Sequence, residues 1–382
     1  MIPKIKHLVV GAGFSGAVIA ERIASILNER VMIIDRRPHI GGASYSSEDP
    51  QTGIDCHRFG SHIFHTSLPD VWKYINRFTA FNSYCHKVFT EYEGRLYSLP
   101  VNLKTINDFF DLNLKPGEVN DFIKQEKQQF RFEKISNLEE KAISMIGYKL
   151  YNAFIKGYTK KQWGCDPRML PPDIIERLPL RYDYNANYFN DRYQGIPENG
   201  YGALFRNMLS HPNIEIMLGT EFRDIRDLCS DQCNIFYSGS LDELFDYRFG
   251  MLGWRSLRFE WKNIDIPDYQ GTAVINYASE DIPCTRVHEF KHLHPEKTAI
   301  NQTLSTTVCF EYPDSYSKGK DAFYPINTAE NRNLYRQYAG LLKNSRIIPI
   351  GRLGAYQYWN MDIAIKNSLD TFNHFYREKI HG

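Results

Sequence analysis

One glycine motif near the start of the chain constrains the fold more than any other stretch. The sequence IKHLVVGAGFSGAVIAERIASIL places an apolar segment before a G-x-G-x-x-G spacing and a helical pattern after it. Such glycines form a tight turn, let the backbone approach a pyrophosphate and allow the helix to pack on the strand. A second β-rich segment, residues 31–34, ends at Asp35, where a carboxylate accepts ribose hydroxyls, so we predict a Rossmann-like dinucleotide-binding domain. The motif glycines are Gly11, Gly13 and Gly16.

The residues around this acid indicate which dinucleotide binds. A carboxylate argues against a 2′-phosphate, although Arg36 and Arg37 follow immediately and keep a 2′-phosphate possible. The doublet Gly41-Gly42 just beyond resembles the FAD-binding signature of amine-oxidase-like flavoproteins. We therefore predict FAD as the cofactor.

A flavoprotein of this kind returns to its cofactor late in the chain, and a suitable segment exists. The apolar run 347–350 predicts a buried strand that ends at Gly351, and a helical pattern begins after Met361. The positive N-terminal end of that helix is suited to face the electron-rich pyrimidine edge of a flavin.

Between these segments the pattern changes twice, which predicts two insertions in an α/β fold. One helix is expected to start at a capping box of Ser136 and Glu139 and to end at Gly157. Alternating β-type runs flank the helices, with a hairpin that turns at Glu93-Gly94. We expect a Rossmann-like FAD-binding domain with an inserted helical domain and an antiparallel β-sheet domain. The expected limits are 1–70 plus 200–245 plus 325–382 for the FAD-binding domain, 104–176 for the helical domain, and 71–103 plus 177–199 plus 246–324 for the sheet domain.

Charge and cysteine content exclude several classes of function. Lys+Arg number 46 against 45 Asp+Glu, a formal charge of +1, so we expect neither nucleic acid nor an anionic membrane as a partner. Seven cysteines without a framework of spacings favour a reducing, cytoplasmic location. No apolar run is long enough to span a membrane. Cys229, Cys233 and the histidines of HEFKHLH lack complementary ligands nearby in sequence, so no metal site is expected.

The segment GYTKKQWG, residues 157–164, is too polar for a core and too aromatic for an ordinary solvated turn. Its side chains suit a ligand that has a flat ring at one end and anionic charge in its middle. Lys160 and Lys161 within the segment are expected to be solvated surface charges.

Several motifs, in the order in which they occur, resemble those of the UDP-galactopyranose mutases. They are GAGFSG with GGASY, HRFGSHIFHT, GYTKKQWG, DRYQGIPENGYGAL, FDYRFGMLGWRSLRFE, CTRVHEFKH, FYPI and GRLGAYQYWNMD, and they extend over nearly the whole chain. The resemblance implies an isomerase that interconverts UDP-galactopyranose and UDP-galactofuranose without net redox change, through attack of N5 of reduced FAD on the anomeric carbon. It further implies a UDP-sugar substrate, an external reductant such as NAD(P)H, a homodimer and a role in cell-surface polysaccharide biosynthesis.

The same resemblance assigns residues to a site. In it, Phe154 and Tyr158 flank the uracil, while Arg177 and Arg286 bind the diphosphate. The implied substrate-binding residues are Phe154, Tyr158, Thr159, Trp163, Arg177, Tyr188, Asn276, Arg286, Tyr324, Tyr358 and Asn360. Catalytic roles are implied for His62, Arg177, Arg286, Tyr324 and Tyr358. The expected cofactor-binding residues are Gly11, Gly13, Phe14, Ser15, Gly16, Asp35, Arg36, Gly42, Ala43, His62, Ile63, Arg352, Tyr358 and Met361.

The chain departs from the family pattern at positions expected near the sugar. Asn360 replaces an aspartate, and Ser61 precedes His62 where proline or alanine is common. A lost carboxylate changes which sugar substituents find partners, so the substrate could instead be UDP-N-acetylgalactosamine or a deoxy sugar nucleotide, with the same chemistry. An amine-oxidase-like FAD oxidoreductase and a sugar-nucleotide-binding protein without catalysis are competing interpretations of the same residues.

Overall fold

The computed structural model describes residues 5–176 and 179–381. In that part of the chain the strands β1 to β16 are, in order, Ile5–Val10, Val31–Asp35, Ser46–Glu48, Asp55–His57, Phe64–Thr66, Val88–Tyr92, Arg95–Leu99, Tyr193–Gly195, Ile214–Leu218, Cys229–Tyr237, Trp254–Ile264, Val274–Tyr277, Arg286–Glu289, Thr306–Ser315, Tyr324–Pro325 and Ile347–Pro349. The α-helices α1 to α15 are Phe14–Arg22, Pro69–Ile75, Leu103–Phe110, Pro116–Lys127, Leu138–Ile146, Tyr148–Leu150, Gly157–Trp163, Asp173–Glu176, Gly200–Met208, Phe222–Ile225, Leu241–Leu244, Thr298–Asn301, Ala329–Gly340, Gly351–Gly354 and Met361–His381. None of these helices has both the length and the apolar character needed to cross a membrane.

A five-stranded parallel sheet carries the glycine motif, with strand order β16-β10-β1-β2-β9. Its central strand β1 is flanked by β10 and β2, and Leu8 and Val9 within it are fully buried. Helices α1 and α15 pack against each other beside this sheet. The arrangement confirms the predicted Rossmann-like α/β fold and the late return of the chain through β16. Strand β16 is half-buried rather than buried as predicted, because it lies at the edge of the sheet.

A second sheet of seven strands has the order β15-β11-β14-β13-β12-β6-β7. Its hairpin β6–β7 turns at Glu93 and Gly94, whose φ angles of 50° and 75° fit the two-residue turn that favours such a hairpin. The sheet is not wholly antiparallel as predicted, because β12 pairs with β6 in parallel. These two strands come from distant parts of the chain, so no short turn dictates their relative direction.

The expected limit of the FAD-binding domain at residue 70 falls inside helix α2. Val71, Tyr74 and Ile75 of this helix are buried in the same core as Val9 of β1. Helix α2 therefore belongs with the parallel sheet rather than with the seven-stranded sheet, which corrects that limit.

The helix that leads into GYTKKQWG does not end at Gly157 as predicted. A π-helical turn, Tyr151–Lys156, passes directly into α7, and the helix ends at Gly164, whose φ is 67°. Gly157 has an ordinary helical φ of −67°, and a methyl group there would overlap the carbonyl oxygen of Ala278. The glycine therefore permits a close helix–loop contact and does not terminate the helix.

The predicted N-cap at the start of α5 is displaced by one residue, and the reciprocal capping box is absent there. The N-cap is Asn137, whose side chain accepts a hydrogen bond from Glu140 N at 3.0 Å. Ser136 N and Ser136 Oγ donate to the Glu140 carboxylate at 2.7 and 2.8 Å. Both Ser and Asn favour the cap position, so the sequence alone did not separate them.

Candidate active site

The glycine turn between β1 and α1 has the shape of a phosphate-binding turn. Gly11 has a φ of 101°, and a methyl group on it would overlap Ser238 Oγ. A methyl group on Gly16 would overlap the carbonyl oxygen of Gly11. Gly13 differs, because the nearest protein atom to an added Cβ would be 3.6 Å away. Contacts within the protein require glycine at Gly11 and Gly16. The space at Gly13 instead fits the close approach of a pyrophosphate.

Asp35, at the end of β2, stabilises this turn by hydrogen bonds. Its Oδ2 accepts a hydrogen bond from Ala12 N at 2.8 Å and its Oδ1 accepts one from Arg37 N at 2.9 Å. Each carboxylate oxygen keeps a second lone pair for a ribose hydroxyl. Arg36 forms ion pairs with Glu243 and Asp321, and Arg37 pairs with Asp321 at 2.7 Å. Because acids already neutralise both arginines, they do not form a free site for a 2′-phosphate.

Two further segments meet the glycine turn. Gly41 N donates to Ala12 O at 2.8 Å, and Gly42, with a φ of 55°, begins a 3₁₀ turn that also contains Ala43. Gly351 has a φ of 70°, and a Cβ on it would lie 3.1 Å from Ser15 Oγ. Three stretches that are far apart in sequence thus converge where FAD was predicted, and they fit this group.

The remaining predicted cofactor-binding residues have mixed environments. The Phe14 ring lies in the core against Phe205, with ring centroids 4.6 Å apart, so only its backbone N–H at the helix start remains for a ligand. His62 Nδ1 lies 2.8 Å from Gly60 O, and burial lowers the pKa of His62 to about 4, which keeps it neutral near pH 7. Ile63 is buried, and Met361 is partly buried against the core of the parallel sheet.

A separate cavity lies between helices α5 and α7 and the seven-stranded sheet. It encloses about 950 Å³, counting the space open to solvent at its mouth. Seven of the predicted substrate-binding residues line it: Phe154, Tyr158, Thr159, Trp163, Tyr188, Asn276 and Arg286. Arg177 lies outside the described residues.

A polar row crosses the sheet beneath this cavity. Strand pairing places Thr90, Asn276, Arg286 and Glu311 directly opposite one another on four adjacent strands, so their side chains share one face. Thr90 Oγ1 and Asn276 Oδ1 are buried and find no hydrogen-bond partner among the described residues. Buried polar atoms are rarely left unpaired, and Asn276 lines the cavity, so its amide is a candidate to bind a polar ring such as a pyrimidine base.

Arg286 is the cation at the centre of this row. Its Nε donates to Tyr158 OH at 2.8 Å, and its Nη1 lies 3.7 Å from Glu311 Oε1. Burial opposes its charge, but Glu311 and the surrounding tyrosine hydroxyls hold the pKa of the Arg286 guanidinium well above its usual value. Burial likewise raises the pKa of Glu311, but Arg286 and His288 outweigh it and lower that pKa to about 2. Arg286 therefore stays charged, and its guanidinium offers hydrogen-bond donors suited to a diphosphate.

A line of aromatic contacts joins the cavity to the cofactor region. The Trp163 ring lies 6.2 Å from Tyr324 and 6.3 Å from Tyr358, and the Arg352 guanidinium lies 5.2 Å above the Tyr358 ring. Arg352 directly follows Gly351, the residue that contacts the glycine turn. A ligand that fills the cavity can thus extend toward a cofactor held at that turn.

Asn360 lies at the surface, immediately before helix α15. Its carbonyl oxygen accepts the first helical hydrogen bond, from Ala364 N at 3.0 Å. Aspartate and asparagine are equally favoured at such a position, so the start of helix α15 tolerates this departure from the family pattern.

The prediction that both lysines of GYTKKQWG are solvated is wrong for Lys161. Its Nζ donates to the carbonyl oxygens of Tyr277, Ile282 and Cys284 at 2.7, 2.8 and 3.0 Å. Burial lowers its pKa to about 8, so it still carries its charge near pH 7. Lys160 does pair at the surface, with Glu280 at 3.0 Å.

Sequence reasoning missed three buried groups near the cavity: Glu311, His288 and His86. His86 lies with its ring centroid 5.5 Å from that of Tyr188, and burial lowers its pKa to about 3. The signal for His288 was present, since it stands two residues after Arg286 in a strand and so shares its face.

The histidines of HEFKHLH have carboxylate neighbours that the sequence spacing did not reveal. His292 Nε2 lies 3.2 Å from Asp268 Oδ1 and 3.4 Å from Glu289 Oε2, a grouping compact enough for a metal ion. Glu289 already accepts hydrogen bonds from Tyr269 N, Gln270 N and Thr306 Oγ1. These bonds account for the buried carboxylate without a metal.

The fold and the site define a flavoprotein-type enzyme with a cofactor-binding turn and a neighbouring cavity for an anionic ligand. Comparison with known sequences supplies the family. A family profile described as UDP-galactopyranose mutase matches residues 153–358, more than half of the chain, and one described as an NAD(P)-binding Rossmann-like domain matches residues 9–78. The chain belongs to the UDP-galactopyranose mutase family, as its motifs predicted.

Individual relatives agree with this assignment. A probable UDP-galactopyranose mutase of Klebsiella pneumoniae is 41% identical over 370 residues, which cover 96% of this chain and 94% of that protein. The dTDP-fucopyranose mutase of Escherichia coli is 39% identical over 370 residues, 96% of this chain and 97% of that protein. A crystal structure of reduced UDP-galactopyranose mutase has the same fold, with a TM-score of 0.75 at 14% identity over 97% of this chain and 95% of that chain. The predicted isomerase class and FAD cofactor are confirmed, in preference to an amine-oxidase-like oxidoreductase.

Proposed function

We propose that this enzyme interconverts UDP-galactopyranose and UDP-galactofuranose. The observation that carries the proposal is the row Thr90–Asn276–Arg286 beneath the cavity. Unpaired polar atoms of Thr90 and Asn276 lie on two adjacent strands, and the charged guanidinium of Arg286 lies on the next strand. A pyrimidine base needs hydrogen-bonding partners and a diphosphate needs positive charge, in that spatial order. Trp163 at the other end of the cavity leads toward the cofactor turn, where the sugar would lie.

The chain's own residues hold the substrate in this proposal. Phe154 and Tyr158 flank the uracil, and Arg286 pairs with the diphosphate while Tyr158 orients its guanidinium through the 2.8 Å hydrogen bond to Nε. Tyr324 and Tyr358 donate hydrogen bonds to the phosphates; burial raises the pKa of Tyr324, so it stays a neutral donor. Arg286 would also stabilise the negative charge of UDP as its bond to the sugar breaks.

FAD would be held by the glycine turn, by Asp35 on the ribose and by the segments at Gly42 and Gly351. When bound and reduced, it supplies the nucleophile for the anomeric carbon. His62, Ile63, Arg352 and Met361 would lie around the flavin. Tyr188, Thr159 and Asn360 complete the proposed substrate contacts, together with Arg177.

Five further features belong to the proposal: the location, the reductant, the role of the product, the oligomeric state and the division into domains. The seven cysteines all lie within the described residues and none forms a disulfide, which supports a cytoplasmic location. An external donor such as NAD(P)H would reduce the flavin, and the product would serve cell-surface polysaccharide biosynthesis. The proposal of a homodimer rests on the family resemblance, and light scattering on the purified protein tests it.

The division into three domains also stands as a proposal, with helix α2 moved to the FAD-binding domain.

A deoxy sugar nucleotide is the second candidate substrate. The observation in its favour is the similarity to a dTDP-fucopyranose mutase over nearly the whole of both chains. The similarity to the Klebsiella mutase is of the same degree, so sequence identity does not separate the two substrates.

The test is an anaerobic assay of the FAD-loaded protein with UDP-galactofuranose, with and without dithionite, following UDP-galactopyranose by chromatography. We expect conversion only with dithionite, and a parallel assay with dTDP-fucofuranose ranks the second candidate. Reduction of the oxidised flavin by the sugar nucleotide itself would contradict a non-redox mutase. Failure to convert either substrate with fully reduced flavin would contradict both candidates.

A further inference from the structure

Two hydrogen bonds and one longer ion pair connect Ser61, in a loop near the cofactor region, with the proposed diphosphate-binding arginine. Ser61 Oγ lies 2.8 Å from His288 Nδ1, and His288 Nε2 lies 3.1 Å from Glu311 Oε2. The other oxygen of that carboxylate, Oε1, lies 3.7 Å from Arg286 Nη1. His288 and Glu311 are both buried, so solvent does not compete for these contacts.

The direction of each hydrogen bond follows from the chemistry of the groups. A carboxylate oxygen only accepts, so His288 Nε2 must carry the proton that it shares with Glu311. In the neutral ring Nδ1 is then an acceptor, and the Ser61 hydroxyl donates to it. Glu311 thereby selects the Nε2–H tautomer of His288, and the Ser61 hydroxyl stabilises that tautomer by donating to Nδ1.

The distance between the buried Glu311 carboxylate and the half-buried Arg286 guanidinium is long for an ion pair. Arginine–carboxylate pairs normally close to about 2.7–2.9 Å, often with two parallel hydrogen bonds. Here His288 holds Oε2 on the far side, and Oε1 remains 3.7 Å from Nη1, beyond hydrogen-bonding range. Gly60 provides the room for this placement, since a Cβ on it would lie 3.0 Å from Oε2.

Glu311 consequently compensates the charge of Arg286 without occupying the hydrogen-bond donors of the guanidinium. Tyr158 takes the Nε–H, and the hydrogens of Nη1 and Nη2 are not consumed by Glu311. A guanidinium in that state can offer a forked pair of donors to a diphosphate.

We propose that Ser61 and His288 are positioning residues that hold Glu311 back from Arg286 and so keep the guanidinium available for the diphosphate of the sugar nucleotide. Without His288, Glu311 would be drawn into a closed pair with Arg286, in competition with the ligand. The inference rests on the proposed binding of UDP at Arg286.

The test compares two probes, UDP and uridine, on the FAD-loaded protein. UDP binding is measured by calorimetry and uridine binding by ligand-observed NMR. In His288→Leu we expect the Kd of UDP to rise about tenfold, as for a lost hydrogen bond to a charged group, with that of uridine unchanged. His288→Gln restores a donor of similar reach, and its Kd for UDP should stay within about threefold of the parent protein.

A matched control removes buried apolar contacts and leaves the hydrogen bonds among Ser61, His288 and Glu311 intact. Val287 is fully buried on the opposite face of the same strand, so Val287→Ala should leave the Kd of UDP unchanged. If His288→Leu does not fold, Ser61→Ala tests the outer of these hydrogen bonds, with an expected rise of about threefold for UDP alone.

Equal weakening of UDP and uridine would show a merely structural role and overturn the inference, as would an unchanged Kd of UDP in His288→Leu. A parent protein that fails to bind UDP at all would instead contradict the proposed function.

Discussion

Two lysines that are adjacent in sequence have different surroundings in the fold. Lys160 and Lys161 are one position apart on helix α7, so their side chains point about 100° apart around the helix. Lys160 meets Glu280 at the surface, whereas the Lys161 ammonium satisfies three backbone carbonyls at once.

We expect Lys161→Met to lower the free energy of unfolding by about 2 to 4 kcal/mol, since the carbonyls lose a shared charged donor. Lys160→Met, the control on the same helix, should change it by less than about 0.5 kcal/mol. Urea unfolding of both variants measures the difference. Equal effects would mean that the Lys161 contacts contribute nothing beyond a surface pair.

Buried histidines should make the protein sensitive to mild acid. Burial lowers the pKa of His86 to about 3, whereas its value in the unfolded chain is near 6.5. Between these pH values the unfolded chain binds a proton that the folded chain does not, so stability falls as the pH drops through this window. His57 and His62, whose pKa values burial also lowers, act with the same sign.

His86→Phe should flatten this dependence by up to about 1.4 kcal/mol per pH unit below pH 6.5. The measurement is the free energy of urea unfolding at several pH values between 7 and 4.5. His374→Phe serves as the control, because the His374 side chain is exposed on helix α15 and its replacement removes no buried group. A slope for His86→Phe as steep as that of the parent protein would show that His86 is protonated in the folded state.

At the scale of single residues, the sequence predicted the cavity better than it predicted the network behind it. Tyr158, Asn276 and Arg286 were recognised from motifs, and all three line the cavity. Glu311 was missed because its role depends on the register between β13 and β14, which places it opposite Arg286. Alternation along a strand gives the face of a residue, but it does not give the partner on the next strand.

At the scale of elements, glycine was the residue whose meaning the sequence left open. Glycine ends helix α7 at Gly164, but at Gly157, the first residue of α7, the helical conformation continues without a break. A pattern-based interpretation favours termination, since glycine is a poor helix former. Only the position of Ala278, more than a hundred residues later, shows why a side chain is excluded at Gly157.

This difference can be measured by one substitution at two sites. Gly157→Ala places a methyl group against Ala278 O and should lower the free energy of unfolding by about 2 kcal/mol or more, despite the better helix propensity of alanine. Gly117→Ala, in helix α4, meets no atom within 4 Å and should raise it by up to about 1 kcal/mol. Opposite signs in urea unfolding support the close contact. A gain at both sites would mean that the helix and the loop at Ala278 are not in contact.

At the scale of the whole molecule, local sequence signals predicted three strands of the parallel sheet, namely β1 and β2, which one helix connects, and the late strand β16. The motif, the acid at the end of β2 and the late strand β16 all fell where expected. The parallel pairing of β6 with β12 was not predicted, since it joins segments with no local link. The limit at residue 70 failed for a related reason: helix α2 follows the short strand β5 in sequence but packs with the first core.

The convergence of three distant segments on the glycine turn gives the last prediction. Gly13 has a φ of −80°, which alanine also adopts, and an added Cβ would meet protein atoms only at ordinary contact distances. Gly13→Ala should therefore leave the melting temperature of the FAD-free protein unchanged while removing its increase on addition of FAD, because a ligand that binds only the folded state stabilises it by mass action. Gly16→Ala, whose methyl group would overlap Gly11 O, should instead destabilise the FAD-free protein itself. Thermal melting of the three proteins across a range of FAD concentrations separates these effects. An FAD-dependent increase in Gly13→Ala equal to that of the parent protein would place the pyrophosphate elsewhere.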